Sequence, residues 1–352
     1  MSKNRRMTNA PACVERRALT VALGCLAAGG WPPAAQAQVR AGTPEERAAD
    51  AEAFDAVRKR LADRWTDVES SVVVLQGRTL FEFYRDGEPD RLRNVQSVEK
   101  SALSALVGVA LARGAIAGVD QPVVALVPEW AALNDDPRTR AITVRHLLTM
   151  SAGFDVGSAT SISGKSLPRQ AWARPLAAAP GERFAYDNAL LGLLAEIIEH
   201  VAGMPLPDYA RRELVQPLGL AEPAYGQQLR LRTQDMARLG QLFLQQGRWD
   251  ERQLLPSDYV AQATRPQNKG GPPVSMPYGY LWWVLPNEAP RRTFMASGYA
   301  GQMIWVHPPL DLVVATTSAL SADSQRRGHA LEMLRGGVLE AAQARYRPSA
   351  TR

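Results

Sequence analysis

The sequence predicts an α+β fold: an antiparallel sheet flanked by N- and C-terminal helices, with a mostly helical region inserted between its strands. Three observations predict it. β-rich runs cluster at 70–84 and return only at 281–317. The stretch between them, 114–265, reads as helices and loops. Amphipathic helical segments open and close the globular part, at 44–64 and 324–345. Terminal helices that each bury one stripe are most simply satisfied on one face of a single sheet. A small-molecule site then falls in the cleft between sheet and insertion.

The first 37 residues stand apart. Arg16 and Arg17 precede an apolar, Ala-rich run from Ala18 to Gly30, and Ala35-Gln36-Ala37 is a small-x-small cleavage pattern. This reads as a signal peptide over 1–37, with export to the periplasm or outside the cell by the Sec or the twin-arginine route. The run is short and broken by Gly and Pro, so no membrane span is expected after its removal. Setting the leader aside removes Lys3, Arg5, Arg6, Arg16 and Arg17 against one acid, Glu15, and the net charge falls from +6 to +2. The basic balance is thus partly a property of the leader. No basic-aromatic stripe points to nucleic acid. Both cysteines, Cys13 and Cys25, lie in the leader, so residues 38–352 hold together without disulfides or thiolate ligands.

Along the 38–352 domain, Thr43-Pro44-Glu45-Glu46 is a capping box with Pro at the first helical position, and a helix to about 64 should follow. Ser70–Leu75 and Thr79–Tyr84 flank Gln76-Gly77-Arg78 as a hairpin. From Ser97 to Arg113 the chain is apolar on nearly every face, the mark of a buried helix. Thr143–Met150 is a short helix, Asp155–Gly164 a Gly/Ser-rich loop, and Asn188–Val201 a helix closed by Gly203. Strands are expected at Leu281–Leu285, Arg292–Ala296, Gln302–His307 and Leu310–Thr317. No internal repeat is present.

Three motifs carry chemistry. Ser97-Val98-Glu99-Lys100 opens the buried helix, and residues three apart share a helical face, so hydroxyl and amine meet. Burial favours the neutral form of an amine, the form that takes a proton from a hydroxyl. A helix start also offers free N–H groups to an oxyanion. Tyr186-Asp187-Asn188 follows a Pro180-Gly181 turn and precedes a helix, which can aim a phenol and an amide into a cleft. Ala296-Ser297-Gly298-Tyr299 leads from a strand through small residues that let a substrate approach backbone, with the Tyr299 N–H as a second oxyanion donor. Each has an ordinary structural explanation by itself: a solvated lysine, a half-buried tyrosine beside a helix cap, a hairpin turn. His146 reads as a structural histidine. There is no H-E-x-x-H, no G-x-S-x-G and no Walker loop, so no metal or cofactor is expected.

The ordered trio resembles the β-lactamase-related serine hydrolases: class C β-lactamases, DD-peptidases, esterases and 6-aminohexanoate-dimer hydrolases. Further stretches are similar to that family, among them Ile142–Gly153, Pro217–Leu220, Asp235–Gly240 and Tyr278–Trp283, so the resemblance runs from about 70 to 345. It implies a β-lactamase/transpeptidase-like fold and an acyl-enzyme mechanism. Ser97 would be the nucleophile, with Lys100 and Tyr186 handling protons. The Ser97 and Tyr299 N–H groups would form the oxyanion hole, and Asn188, Ser297 and Gly298 would contact substrate. One departure bears on substrate. Where the lactamases carry a cationic residue ahead of T-G, this chain has Ala296. That favours small ester or amide substrates over β-lactams or peptides. Tyr278, Tyr280, Trp282 and Trp283 are candidates for an apolar pocket wall. A non-catalytic protein that binds cell-wall fragments or peptides in the same cleft is the alternative from another class.

Overall fold

A computed structural model describes residues 40, 42–157, 168–226, 228–286, 291–320 and 328–347. The expected leader, most of the Asp155–Gly164 loop and the start of the expected final helix lie outside the described residues.

The capping box forms as expected. Thr43 Oγ1 accepts from Glu46 N–H and the Glu46 carboxylate accepts from Thr43 N–H. The single helix expected over 44–64 is two helices, α1 (Pro44–Ala53) and α2 (Asp55–Asp63). The break is Phe54, whose buried ring stacks on Phe81 with centroids 5.0 Å apart. Anchoring that ring in the core turns the chain.

The sheet has eight strands: β1 (Val68–Leu75), β2 (Arg78–Tyr84), β3 (Asn268–Gly271), β4 (Met276–Tyr278), β5 (Trp283–Val284), β6 (Phe294–Ser297), β7 (Met303–His307) and β8 (Leu312–Ser318). Their order is β2-β1-β8-β7-β6-β5-β4-β3, antiparallel at every junction. The N-terminal hairpin is thus completed by the last strand, Val73 lying opposite Val314. Two strands, β3 and β4, were not expected. Their sequence, Asn268-Lys269-Gly270-Gly271 and Met276-Pro277-Tyr278, lacks the β-branched alternation that marks a strand.

Strand alternation sorts the two faces. Phe81 and its partner Val73 face α1 and α2. Ser70 and Thr317 face the other way, where their hydroxyls join that of Thr233. Thr233 begins helix α5 (Thr233–Leu244), which crosses this second face. Gly240 lets it settle there: a Cβ at 240 would stand 2.7 Å from methyls of both Ile304 and Val313. The C-terminal helix runs through Ala330–Met333, a π turn at Leu334–Val338, and Leu339–Arg345, beside α1 and α2. Gly337 admits Val57 and Trp65 against it.

The insertion is mostly helical, as expected, with short strand pairs at 93–94/230–231 and 248–249/252–253. Its longest helix, α4 (Ala189–Ala202), ends at Gly203 in the left-handed conformation glycine adopts without cost. The central helix α3 (Glu99–Ala112) is buried along most of its length. Small residues make room around it: Gly108 meets the Tyr259 ring, Ser104 bonds the Tyr259 hydroxyl at 2.9 Å, and Ser101 donates to Leu281 C=O at 2.8 Å. Among the described residues no single helix is long and apolar enough to cross a membrane.

Candidate active site

Ser97 sits in a 3-10 turn, Gln96–Val98, that feeds directly into α3. The turn is tight because Gln96 adopts a left-handed backbone (φ 49°), a conformation that costs a non-glycine residue about 1–2 kcal/mol. Asn94 supports it by accepting from Gln96 N–H at 2.9 Å, and Val98 N–H returns to Val95 C=O at 3.1 Å. Such local strain persists where surrounding packing over-determines it, and functional sites are where it collects.

Lys100 lies one helical turn on. Its Nζ donates to Ser97 Oγ at 2.9 Å, and the residue is only 3% exposed. The same Nζ stands 5.0 Å from the centroid of the Tyr186 ring. Tyr186 is stacked in turn on Trp283 (6.0 Å between centroids, 17° between planes). The structure therefore brings Ser97, Lys100 and Tyr186 together although 86 residues separate the lysine from the tyrosine.

The Tyr186 segment is held from both sides. Ala185 N–H bonds Met150 C=O at 2.8 Å. The next residue, Asp187, is buried against Arg174 with an N–O distance of 2.6 Å, both side chains 3% exposed. Its other oxygen accepts from Ala189 N–H at 2.9 Å, capping the start of α4. That leaves Asn188 exposed at the helix N-terminus. Sequence reasoning left the role of Asp187 open and missed Arg174 altogether, because no local pattern joins residues 13 apart in an irregular segment.

The third segment comes from the sheet. β6 delivers Ser297, half-buried, and Gly298 then packs on the serine turn. A Cβ at 298 would lie 2.8 Å from Val95 C=O and 2.9 Å from the Gln96 Cβ, so only glycine permits this approach. Gly298 N–H bonds Gln302 C=O at 2.7 Å. The buried Gln302 carboxamide clamps the Ser318 backbone with bonds of 2.8 and 3.1 Å. Tyr299 follows, its side chain 51% exposed. Neither Ser97 N–H nor Tyr299 N–H is used within its own 3-10 turn or by another backbone acceptor among the described residues.

Ala296 is buried opposite Ile304, so position 296 presents a methyl group and no charge. All four aromatics expected to line a pocket, Tyr278, Tyr280, Trp282 and Trp283, are core residues. Trp282 packs on Phe243 and Phe294, and Tyr280 on Tyr259. Trp283 stacks on Tyr186, and Tyr278 packs edge-on against Trp283 behind it. His146 accepts from Thr143 N–H at 3.1 Å as part of a helix cap, and burial lowers its pKa. Among the described residues no group of three or more His, Cys, Asp or Glu is placed to hold a metal ion.

This geometry, a buried Ser-x-x-Lys turn meeting a tyrosine and a Ser-Gly strand end, is a serine-hydrolase arrangement, and comparison with known proteins agrees. The sequence matches the Beta-lactamase family model over residues 56–335, and the chain belongs to that family, whose members are serine hydrolases. Esterase EstB of Burkholderia gladioli is 30% identical over 166 residues, an alignment that spans 42% of this chain and 42% of the esterase. A candidate 6-aminohexanoate-dimer hydrolase from Bacillus anthracis superposes with a TM-score of 0.68 at 19% identity, covering 88% of each chain. A penicillin-binding protein homologue from Caulobacter crescentus gives 0.67 at 17% identity, covering 86% of this chain and 98% of that one. At these identities the structural likenesses establish the fold.

Proposed function

We propose that the chain is an exported serine esterase or amidase that turns over small esters or amides through an acyl-enzyme on Ser97. The observation that carries this reading is the 2.9 Å bond between Lys100 Nζ and Ser97 Oγ beside the Tyr186 ring. Lys100 Nζ takes the Ser97 proton as Oγ attacks the substrate carbonyl carbon. The oxygen of the tetrahedral intermediate collects negative charge between the Ser97 and Tyr299 N–H groups. Collapse breaks the bond to the leaving group, which is protonated through Tyr186 by the proton that Lys100 received. Water then adds to the acyl carbon, its proton following the same route in reverse, and Ser97 is released. Asn188 and Ser297 border the substrate, and the Gly298 backbone lies alongside it.

Ala296 supports the choice of substrate. A methyl at that point offers a substrate carboxylate no counter-ion, so neutral esters and amides lose nothing there, whereas β-lactams and peptide C-termini do. The 30% identity to an esterase over part of the chain points the same way.

The test is fluorophosphonate labelling with peptide mapping, followed by rates on short-chain p-nitrophenyl esters and on nitrocefin. Label on Ser97 with ester turnover well above nitrocefin turnover is expected. Fast nitrocefin turnover without ester turnover would replace the reading by a β-lactamase or DD-peptidase, and absence of label on Ser97 by a non-catalytic binding protein. For export, cell fractionation should place the protein outside the cytoplasm with residues 1–37 removed.

A further inference from the structure

A cavity of about 350 Å³ opens far from Ser97, lined by Arg40, Glu46, Leu75, Gln76, Arg78, Arg345 and Arg347. Its volume is within the range of small-molecule sites. The register fixes its place. Ser297 is level with Met303, Thr316 and Ser71 across the sheet, whereas Leu75 lies at the far end of β1, paired with Leu312. The cavity therefore sits at the opposite end of the strands from the serine, where Arg40, the hairpin turn and the end of the last helix meet.

Its walls are built rather than accidental. Arg40 is fixed through its backbone, donating to Gly77 C=O at 2.9 Å and accepting from Thr79 N–H at 3.0 Å. The Gln76 carboxamide grips the backbone of Arg347, donating to its C=O at 2.7 Å. Asp50, 2% exposed, lies behind the cavity and holds two of the guanidiniums: both Nη atoms of Arg78 and Nε of Arg345, the latter at 2.8 Å. Glu46 takes a fork from Arg40 at 3.0 and 3.2 Å. Its carboxyl is held down to about 2, first by Arg40 and then by Thr43 N–H.

Glu46 and Asp50 engage Arg40, Arg78 and Nε of Arg345. Among the described residues the two Nη groups of Arg345 and the whole Arg347 guanidinium bond to no protein acceptor. Guanidinium N–H groups converge here from three separate segments of the chain. A planar carboxylate fills one fork, as Glu46 already does with Arg40. A tetrahedral group with three free oxygens takes donors from several directions at once.

We propose that the cavity bordered by Arg40, Arg78, Arg345 and Arg347 is a second ligand site, which binds a small phosphate-bearing anion through the Nη groups of Arg345 and the guanidinium of Arg347. The site is independent of turnover at Ser97. Its ligand is a free phosphate ester or a phosphate headgroup, the chemistry being shared.

Isothermal titration of the purified protein with inorganic phosphate, at constant ionic strength set with chloride, tests it. Saturable binding of one phosphate is expected, weakened at least tenfold in Arg347→Gln with fluorophosphonate labelling of Ser97 unchanged. Arg345→Gln should do the same, but it also disturbs Asp50. Arg347 has no carboxylate partner to abandon, so its variant keeps the test clear of misfolding. Heats no larger than chloride dilution, or equal affinity in Arg347→Gln, overturn the proposal. Co-sedimentation with phosphatidylcholine vesicles containing phosphatidylglycerol separates the two sources. Binding displaced by inorganic phosphate assigns the headgroup to this cavity, and no binding, or binding that phosphate leaves untouched, assigns the free phosphate ester.

Discussion

A lysine Nζ 2.9 Å from a hydroxyl, 3% exposed and facing an aromatic ring, is a costly arrangement to keep unless its chemistry is used. Only five of the 41 basic residues in the sequence are lysines, and Lys100 is the buried one among those described. Arginine serves nearly everywhere else a positive charge is needed, but a guanidinium does not give up its proton and so cannot act as a base. Lys100→Arg should therefore keep the charge and lose the reaction, lowering kcat by about 10²–10⁴-fold with the fold intact by circular dichroism. Near-normal kcat in that variant would remove Lys100 from proton transfer. Asp187 makes a different kind of demand. Asp187→Asn leaves Arg174 buried without its counter-charge, which costs about 3–5 kcal/mol in urea unfolding. An unchanged urea midpoint would show that the pair is dispensable.

Helix α5 and the strands beneath it show how closely elements are fitted. Gly240→Ala puts a methyl 2.7 Å from Ile304 and Val313, and should destabilise by about 1–3 kcal/mol while kcat per folded molecule stays the same. Much at this scale was legible. The Thr43 cap, the buried helix after Ser97, the helix closed at Gly203 and the last two strands each carry a local signal in periodicity, capping or β-branched composition. The Ser97, Lys100 and Tyr186 cluster was legible because two of its members share a helical turn. Where the reading failed, the deciding interaction was distant. Phe54 breaks the first helix because Phe81 takes its ring. β3 and β4 are strands because β5 offers them an edge, not because their residues favour it. All four aromatics at 278–283 went to the core rather than to a pocket, a choice that depends on tertiary packing and not on residue type.

Over the whole molecule, residues 38–352 contain no cysteine, so stability rests on burial and on paired charges. Its pH dependence near neutrality falls to histidine. Burial lowers the pKa of both His146 and His307. The unfolded chain, with histidines near 6.5, then binds more protons than the folded one, so stability falls as pH drops through that value. Asp120 and Asp136, held low by Arg145 and Arg138, do not titrate in this window. The urea midpoint should therefore decrease between pH 7.5 and 5.5, and His146→Gln should reduce the decrease. A midpoint independent of pH across that interval would mean that neither ring is kept neutral by the fold.

The pairing of β1 with β8 has a consequence in time. Val72, Val73, Val74 and Leu75 form their second edge only with residues 312–315. A ribosome adding about 5–20 residues per second needs roughly 10–50 s to travel from one strand to the other. Throughout that interval the hairpin exposes an unpaired apolar edge, a template for wrong pairing with another chain. Such a nascent polypeptide cannot close its central strand pair until residues 312–318 have emerged.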